Sequence, residues 1–245
     1  MIFDEPRVLI LTEDLSKTYK LGNEIEVAVS SLDIRIMQGE SIIIRGLRGT
    51  QKKAVFNLLG CLESPTAGKY YFDYEDIAVA DTNILDGIRK QKIGYLFRDF
   101  KLIDRITAAQ NIEIPMYGLN ISREEKKARL LKSLRSFGIE TIAEEKAINL
   151  TDYQKQLVSL ARAVVNNPLM IIADEPAANL DSQEEQKLME YLFSLNTEGI
   201  TIILFTEKET IKALRRYRLI SFKAGRVSED KKGTCSLPCK EGGFR

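Results

Sequence analysis

The apolar positions change their spacing several times along the chain, and the changes predict its elements. Apolar, β-branched runs at about 8–11, 25–36 and 41–45 predict strands. After Arg45 the pattern breaks at glycines. Ala54, Val55, Leu58, Leu59 and Leu62 then recur at helical spacing, so residues 41–62 read as strand, glycine turn and helix. A turn at 65–68 precedes short strands at 69–72 and 93–97. Residues 98–166 read as mostly helical. Within them, Ser122-Arg-Glu-Glu predicts a capping box opening a helix that stops at Gly138, and Thr151 starts another. A buried-strand run at 169–173 ends in Asp174 and Glu175. Helices at about 182–195 and 208–216 flank a strand at 200–206, a strand pair follows near 218–228, and the polar residues from 229 read as a loose tail. Strands alternating with helices predict an α/β fold on a mainly parallel sheet.

Composition removes several functions. The chain has 245 residues, 44% hydrophobic and 29% charged, as expected of a globular protein with a real core. Its net charge of +1 supplies no global field for nucleic acid. No histidine is present, which excludes His-based acid–base catalysis and His metal ligation. Three cysteines, Cys61, Cys235 and Cys239, form neither a disulfide framework nor a zinc motif. The apolar runs are too short to span a bilayer, and the first residues lack the apolar stretch of a secretory signal, so the expected compartment is the cytoplasm.

The candidate chemistry begins at Gly46-Leu-Arg-Gly-Thr-Gln-Lys-Lys. A working phosphate loop reads G-x-x-x-x-G-K-[ST]: its glycines let the backbone wrap phosphate, its Lys reaches the terminal phosphates, and its hydroxyl holds Mg²⁺. Gly46, Gly49 and Lys52 fit that pattern, whereas Gln51 replaces a glycine and Lys53 the hydroxyl. Alone this is a weak signal. The apolar strand ending in Asp174-Glu175 strengthens it, because such carboxylates hold Mg²⁺ and orient the attacking water in phosphate-loop enzymes.

With these motifs in order, the chain resembles the nucleotide-binding subunit of an ABC transporter, in the branch serving lipoprotein export, macrolide export and the cell-division permease. The resemblance runs from about 8 to 228. It is carried by Leu15-Ser-Lys-Thr-Tyr-Lys, Asn57-Leu-Leu-Gly-Cys-Leu-Glu-Ser-Pro-Thr-Ala-Gly, Ile93-Gly-Tyr-Leu-Phe-Arg-Asp-Phe, Leu160-Ala-Arg-Ala-Val-Val-Asn-Asn-Pro, Ala173-Asp-Glu-Pro and Ala178-Asn-Leu-Asp. It implies a phosphate-loop core with a mainly parallel sheet, an N-terminal antiparallel region and a helical subdomain. The whole of 1–228 would be a single nucleotide-binding domain, with a core lobe at about 1–97 and 167–228, a helical part at about 98–166 that docks on the permease, and a tail at 229–245.

The resemblance also implies ATP with Mg²⁺ as cofactors, pairing of two such subunits as a homodimer or heterodimer, a membrane permease as partner, and a place on the inner face of the membrane. It assigns Tyr19 to the adenine. Gly46, Leu47, Arg48, Gly49, Thr50, Gln51, Lys52, Lys53, Ala54 and Arg98 fall to the nucleotide, Asp174 to the metal, Glu175 to the attacking water and Asp181 to the loop facing the second subunit. The signature that completes the partner's site reads Leu150-Thr-Asp-Tyr-Gln, so Thr151, Asp152, Tyr153 and Gln154 stand there.

Departures cluster where the family does chemistry. They are Gln51, Lys53, Arg98 for a glutamine, Asp152 and Tyr153 for glycines, and Glu207 for the switch histidine. A side chain at 51 would crowd the phosphate approach, and a protonated Lys53 cannot ligate a metal. Loss of several preorganised contacts, each worth roughly 10²–10³ in rate, predicts hydrolysis that is weak or absent. Two readings follow, an ABC ATPase activated only with its permease and a non-catalytic structural or regulatory subunit. Arg48, Lys52, Lys53 and Arg98 would gather opposite Asp174, Glu175 and Glu207, and Lys53 either takes the metal's place against Asp174 or is solvated.

Overall fold

The computed structural model describes residues 7–22, 24–208, 217–223 and 225–232. Residues 209–216 of the helix expected at 208–216, Cys235, Cys239 and most of the expected tail lie outside them.

Two sheets organise the chain. The first is antiparallel and built on the long strand β1 (Val8–Leu21). β1 pairs β2 (Glu24–Leu32) on one side and β5 (Ala67–Phe72) on the other, with β6 (Glu75–Asp76) beyond β5. β3 (Arg35–Met37) pairs the first half of β1. The single strand expected at 25–36 is therefore two. Ser31 at φ 53 turns the chain, and the Asp33 carboxylate accepts a bond from the Asp14 amide at 2.6 Å, so the pairing moves along β1. β1 also outruns its predicted span. Its polar second half, Leu15–Leu21, is held by its ladder with β2, which leaves no mark in the apolar pattern.

The second sheet has the order β11-β10-β4-β9-β8-β7. β4 (Ser41–Arg45), β7 (Ile93–Leu96), β8 (Met170–Asp174), β9 (Thr201–Phe205) and β10 (Arg218–Lys223) run parallel, and β11 (Arg226–Lys232) closes the edge antiparallel. β11 extends past 229 into the expected tail, because its polar residues pair with β10. Strand residues point alternately to two faces. Ile42, Ile44, Ile172, Ile203 and Phe205 join the core shared with the first sheet. Ile43, Ile171, Ala173, Ile202 and Leu204 join a second core under the helices. Both faces are thus covered, which is why these strands read as unbroken apolar runs.

Helix α1 (Gly49–Leu59) follows β4 and buries Ala54, Val55, Phe56, Leu58 and Leu59. It starts inside the glycine turn, five residues before its first apolar position, and ends at Gly60 before Leu62. Helix α2 (Thr82–Gln91) is absent from the sequence reading. Its cues were local: Ile84, Leu85 and Ile88 recur at helical spacing, Ile88 is buried, and Asp81 caps the Ile84 amide at 2.9 Å. Helices α3 (Ala108–Glu113), α4 (Arg123–Ser136) and α5 (Asp152–Val164) fill the helical stretch, and α6 (Ser182–Thr197) follows β8. Ser122 caps α4, but Glu125 completes no box there: its carboxylate takes the Arg129 guanidinium instead.

Candidate functional site

The ends of β4, β8 and β9 lie side by side in parallel register, so whatever follows each strand meets at one edge. That is where open α/β sheets bind ligands. After β4 comes the loop at 46–53. Gly46 has φ +79, and a Cβ there would lie 2.1 Å from the Phe222 carbonyl oxygen, so only glycine fits. Leu47 is buried and pins the loop to the core. Arg48 enters α1 in extended conformation without a side-chain cap, and the first turn carries no acid. The positive end of α1 is left to an external acceptor, as in anion-binding loops.

Lys52, in the first turns of α1, points back to the end of β8. Its Nζ lies 2.5 Å from Asp174 Oδ1 and 3.5 Å from Glu175 Oε1. Glu175 sits at φ 42, a region costly for residues with a Cβ, and is held there by its amide bond to the Phe205 carbonyl at 2.9 Å. Its carboxylate is engaged at both oxygens. Thr206 Oγ1 donates to Oε2 at 3.1 Å and the Glu207 amide donates to Oε1 at 3.2 Å. The Glu207 carboxylate in turn accepts the Gly46 amide at 2.9 Å. Lys208 Nζ donates to the Ala177 carbonyl at 3.1 Å and to Glu185 Oε2 at 2.6 Å, while the Arg45 guanidinium donates to the Lys208 carbonyl. Residues 206–208 thereby strap together the glycine loop, the carboxylate strand and the start of α6. Thr206 and Lys208 escape the sequence reading. The signal that could have found them is their place after β9, since a strand beside the carboxylate strand delivers its next residues to the same edge.

The other predicted residues separate into those that reach this cluster and those that do not. Lys53 is exposed and makes no ion pair among the described residues, so the Lys53–Asp174 pair is overturned and Lys52 takes that partner. One step along a helix turns a side chain by about 100°, so adjacent lysines cannot share one carboxylate. Arg48 and Arg98 are likewise exposed without ion pairs among the described residues, so the four-cation cluster does not assemble. Gln51 lies elsewhere than anticipated too. A Cβ on Gly225, at φ +74 in the turn between β10 and β11, would sit 3.1 Å from Gln51 Nε2. Gln51 therefore rests against that turn, away from Lys52 and the carboxylates.

Tyr19, on β1, donates to Glu63 Oε2 at 2.7 Å and carries Lys17 Nζ 5.4 Å from its ring centroid. Burial, then the hydrogen bond to Glu63 and its charge, push its hydroxyl well above the usual range. Burial opposes ionisation of Glu63, yet bonds from Tyr19, Asn57 and Lys17 outweigh it and hold the carboxyl below its usual value. Thr151 caps α5 in the anticipated box, accepting the Gln154 amide at 3.2 Å while Gln154 Oε1 accepts the Thr151 amide at 2.9 Å. Asp152 is exposed beside it, and Tyr153 packs on the second core. Asp181 caps α6 through the Gln183 and Glu184 amides at 2.8 and 2.9 Å. No hydrogen bond or ion pair among the described residues joins 151–154 to the Lys52 cluster.

A divalent cation does not fit the residues present. Asp174 is already matched by Lys52, and the position that should supply a hydroxyl ligand carries the Lys53 ammonium, which offers no lone pair.

The model of the ABC transporter family matches residues 29–178, more than half of the chain. The chain belongs to the ABC transporter family of ATP-binding proteins. It is 33% identical to the uncharacterized ABC transporter ATP-binding protein YvrO of Bacillus subtilis, over 93% of this chain and 99% of YvrO. It is 33% identical to the macrolide export ATP-binding/permease protein MacB of Escherichia coli, over 93% of this chain but 35% of MacB, which bears out the export branch. The ATP-binding cassette MJ0796 of Methanocaldococcus jannaschii, solved as a dimer in a post-hydrolysis state bound to ADP and Pi, superposes with a TM-score of 0.82 at 35% identity, covering 91% of this chain and 98% of that one. The ABC-type α/β architecture is thus the fold of this chain.

Proposed function

We propose that this chain is the ATP-binding subunit of an export-type ABC complex whose own hydrolytic step is weak or absent. The observation that carries the reading is the internal pairing of the catalytic edge. Lys52 is bound by Asp174 and Glu175, both oxygens of Glu175 are engaged, and a carboxylate, Glu207, occupies the mouth of the loop. A group that must orient water or stabilise developing charge is effective when preorganised and free. Here each is committed to another side chain.

The same reading supplies the partners. MacB carries ATP-binding and permease functions under one name, and this chain matches 35% of it. No helix among the described residues is long and apolar enough to cross a membrane. A separate permease would provide the membrane part and hold this subunit at the membrane's inner face, with a second cassette, of this chain or another, completing the dimer. The domain division at about 98 and 167, with the helical part facing the permease, belongs to this proposal. The rival is a pseudo-ATPase acting as a structural or regulatory subunit, favoured by the Lys52–Asp174 pair.

Steady-state turnover with ATP and Mg²⁺, with and without the permease, tests the proposal. Rates far below 1 s⁻¹ are expected, and turnover of about 1 s⁻¹ or more by the subunit itself refutes it. Turnover gained only with the permease separates the first reading from the pseudo-ATPase.

A further inference from the structure

Of the three carboxylates at the catalytic edge, two have a cation among the described residues and one does not. Asp174 and Glu175 share Lys52. Glu207 has the single amide bond from Gly46 and no ion pair among the described residues. The neighbouring cations are committed elsewhere: Arg45 to the Lys208 carbonyl, and Lys208 to Glu185 and the Ala177 carbonyl. In a phosphate loop the Lys meets the terminal phosphates. A polyphosphate lying along this loop brings its last, most charged group towards Lys52, and Glu207 is the neighbour there: its amide and Lys52 Nζ both meet Glu175 Oε1, at 3.2 and 3.5 Å, while its carboxylate holds the Gly46 amide. A divalent cation would ordinarily relieve such crowding, but the residues present do not fit one.

We infer that Glu207 makes this site select nucleoside diphosphates over triphosphates. The inference rests on the reading of the edge as a nucleotide site and goes beyond it, by assigning Glu207 as the residue that sets which nucleotide is held. The Gly46–Glu207 bond is part of the selection. A diphosphate can share the loop with the carboxylate, whereas the added phosphate of a triphosphate must displace it or lie against it. Glu207 is exposed, so its field is partly screened. One further phosphate charge about 6 Å from a carboxylate, at an effective dielectric near 60, changes affinity about fivefold.

Dissociation constants for ADP and ATP, measured calorimetrically with a chelator present, test this on the wild type and on Glu207→Gln. Glutamine keeps an oxygen for the Gly46 amide and removes the charge. The wild type is expected to hold ADP several-fold more tightly than ATP, and Glu207→Gln to reduce that preference about fivefold. Because the readout is a ratio within one preparation, partial loss of folded protein cancels. Glu207→Ala, which removes charge and bond together, should reduce the preference at least as far. Equal or tighter binding of ATP by the wild type, an unchanged ratio in both variants, or no binding of either nucleotide overturns the inference. The turnover measurement bears on the hydrolytic reading alone, so the two can fail separately.

Discussion

Replacing Lys52 by Met keeps most of the side chain's volume and removes its charge. In the folded protein the Nζ lies 2.5 Å from Asp174 Oδ1 and 3.5 Å from Glu175 Oε1, and the side chains are 23%, 33% and 17% exposed. A pair at about 4 Å with an effective dielectric near 20 gains about 4 kcal/mol before desolvation. Screening at this partly exposed edge and the recovered hydration of the ammonium offset about half of that. The net loss should be about 2 kcal/mol, since two neighbouring carboxylates are left without a cation. For a chain of this size that lowers Tm by roughly 4–8 °C. Thermal unfolding followed by circular dichroism without nucleotide reads the shift, and Lys53→Met is the matched control. Lys53 is exposed and unpaired among the described residues, so its variant should stay within about 0.5 kcal/mol of the wild type. If Lys53→Met destabilises and Lys52→Met does not, the pairing at the catalytic edge is wrong.

Gly46→Ala should cost about 3 kcal/mol or more, from the left-handed φ together with the collision with the Phe222 carbonyl, and urea unfolding should show a lower midpoint; a midpoint like the wild type's would mean the loop is not locked against β10. Gln156 is fully buried and neither end of its amide has a partner among the described residues, so Gln156→Met should stabilise by about 1–2 kcal/mol and raise the urea midpoint, whereas a loss of stability would show that the amide is satisfied in solution.

The strand, glycine turn and helix at 41–62 were legible because the apolar period switches there from strand to helix with glycines at the break. The run ending in Asp174-Glu175 was legible for the same reason: a strand buried on both faces is an unbroken apolar run, and its carboxylates stand out at its end. The cap at Thr151 was equally local, whereas Asp181, read only as a residue facing a second subunit, caps α6 as well, because a capping residue and a functional residue look identical in a sequence. Helix α2 was legible too, from Ile84, Leu85 and Ile88 at helical spacing behind the Asp81 cap, although it is absent from the sequence reading; the second half of β1 was hidden because ladder bonds carry no side-chain signature.

What the sequence determined by itself was the family, the order of the motifs and the list of altered positions, since all of these are properties of residue type and spacing along one line. It could not determine which charge meets which. Lys52 and Lys53 are adjacent and chemically equal on paper, and only the direction each takes from the first turn of α1 decides that Lys52 pairs with Asp174 and Lys53 faces solvent. Gln51 looked like an obstruction until the approach of Gly225 showed where its amide rests. Glu207 read as a missing histidine, and the parallel register of β4, β9 and β8 turned it into a carboxylate bound to the loop's own backbone. Ion pairs and hydrogen bonds depend on distances of a few ångströms between residues far apart in the chain, 161 positions for Gly46 and Glu207, and those distances exist only once the sheet has brought the strand ends together.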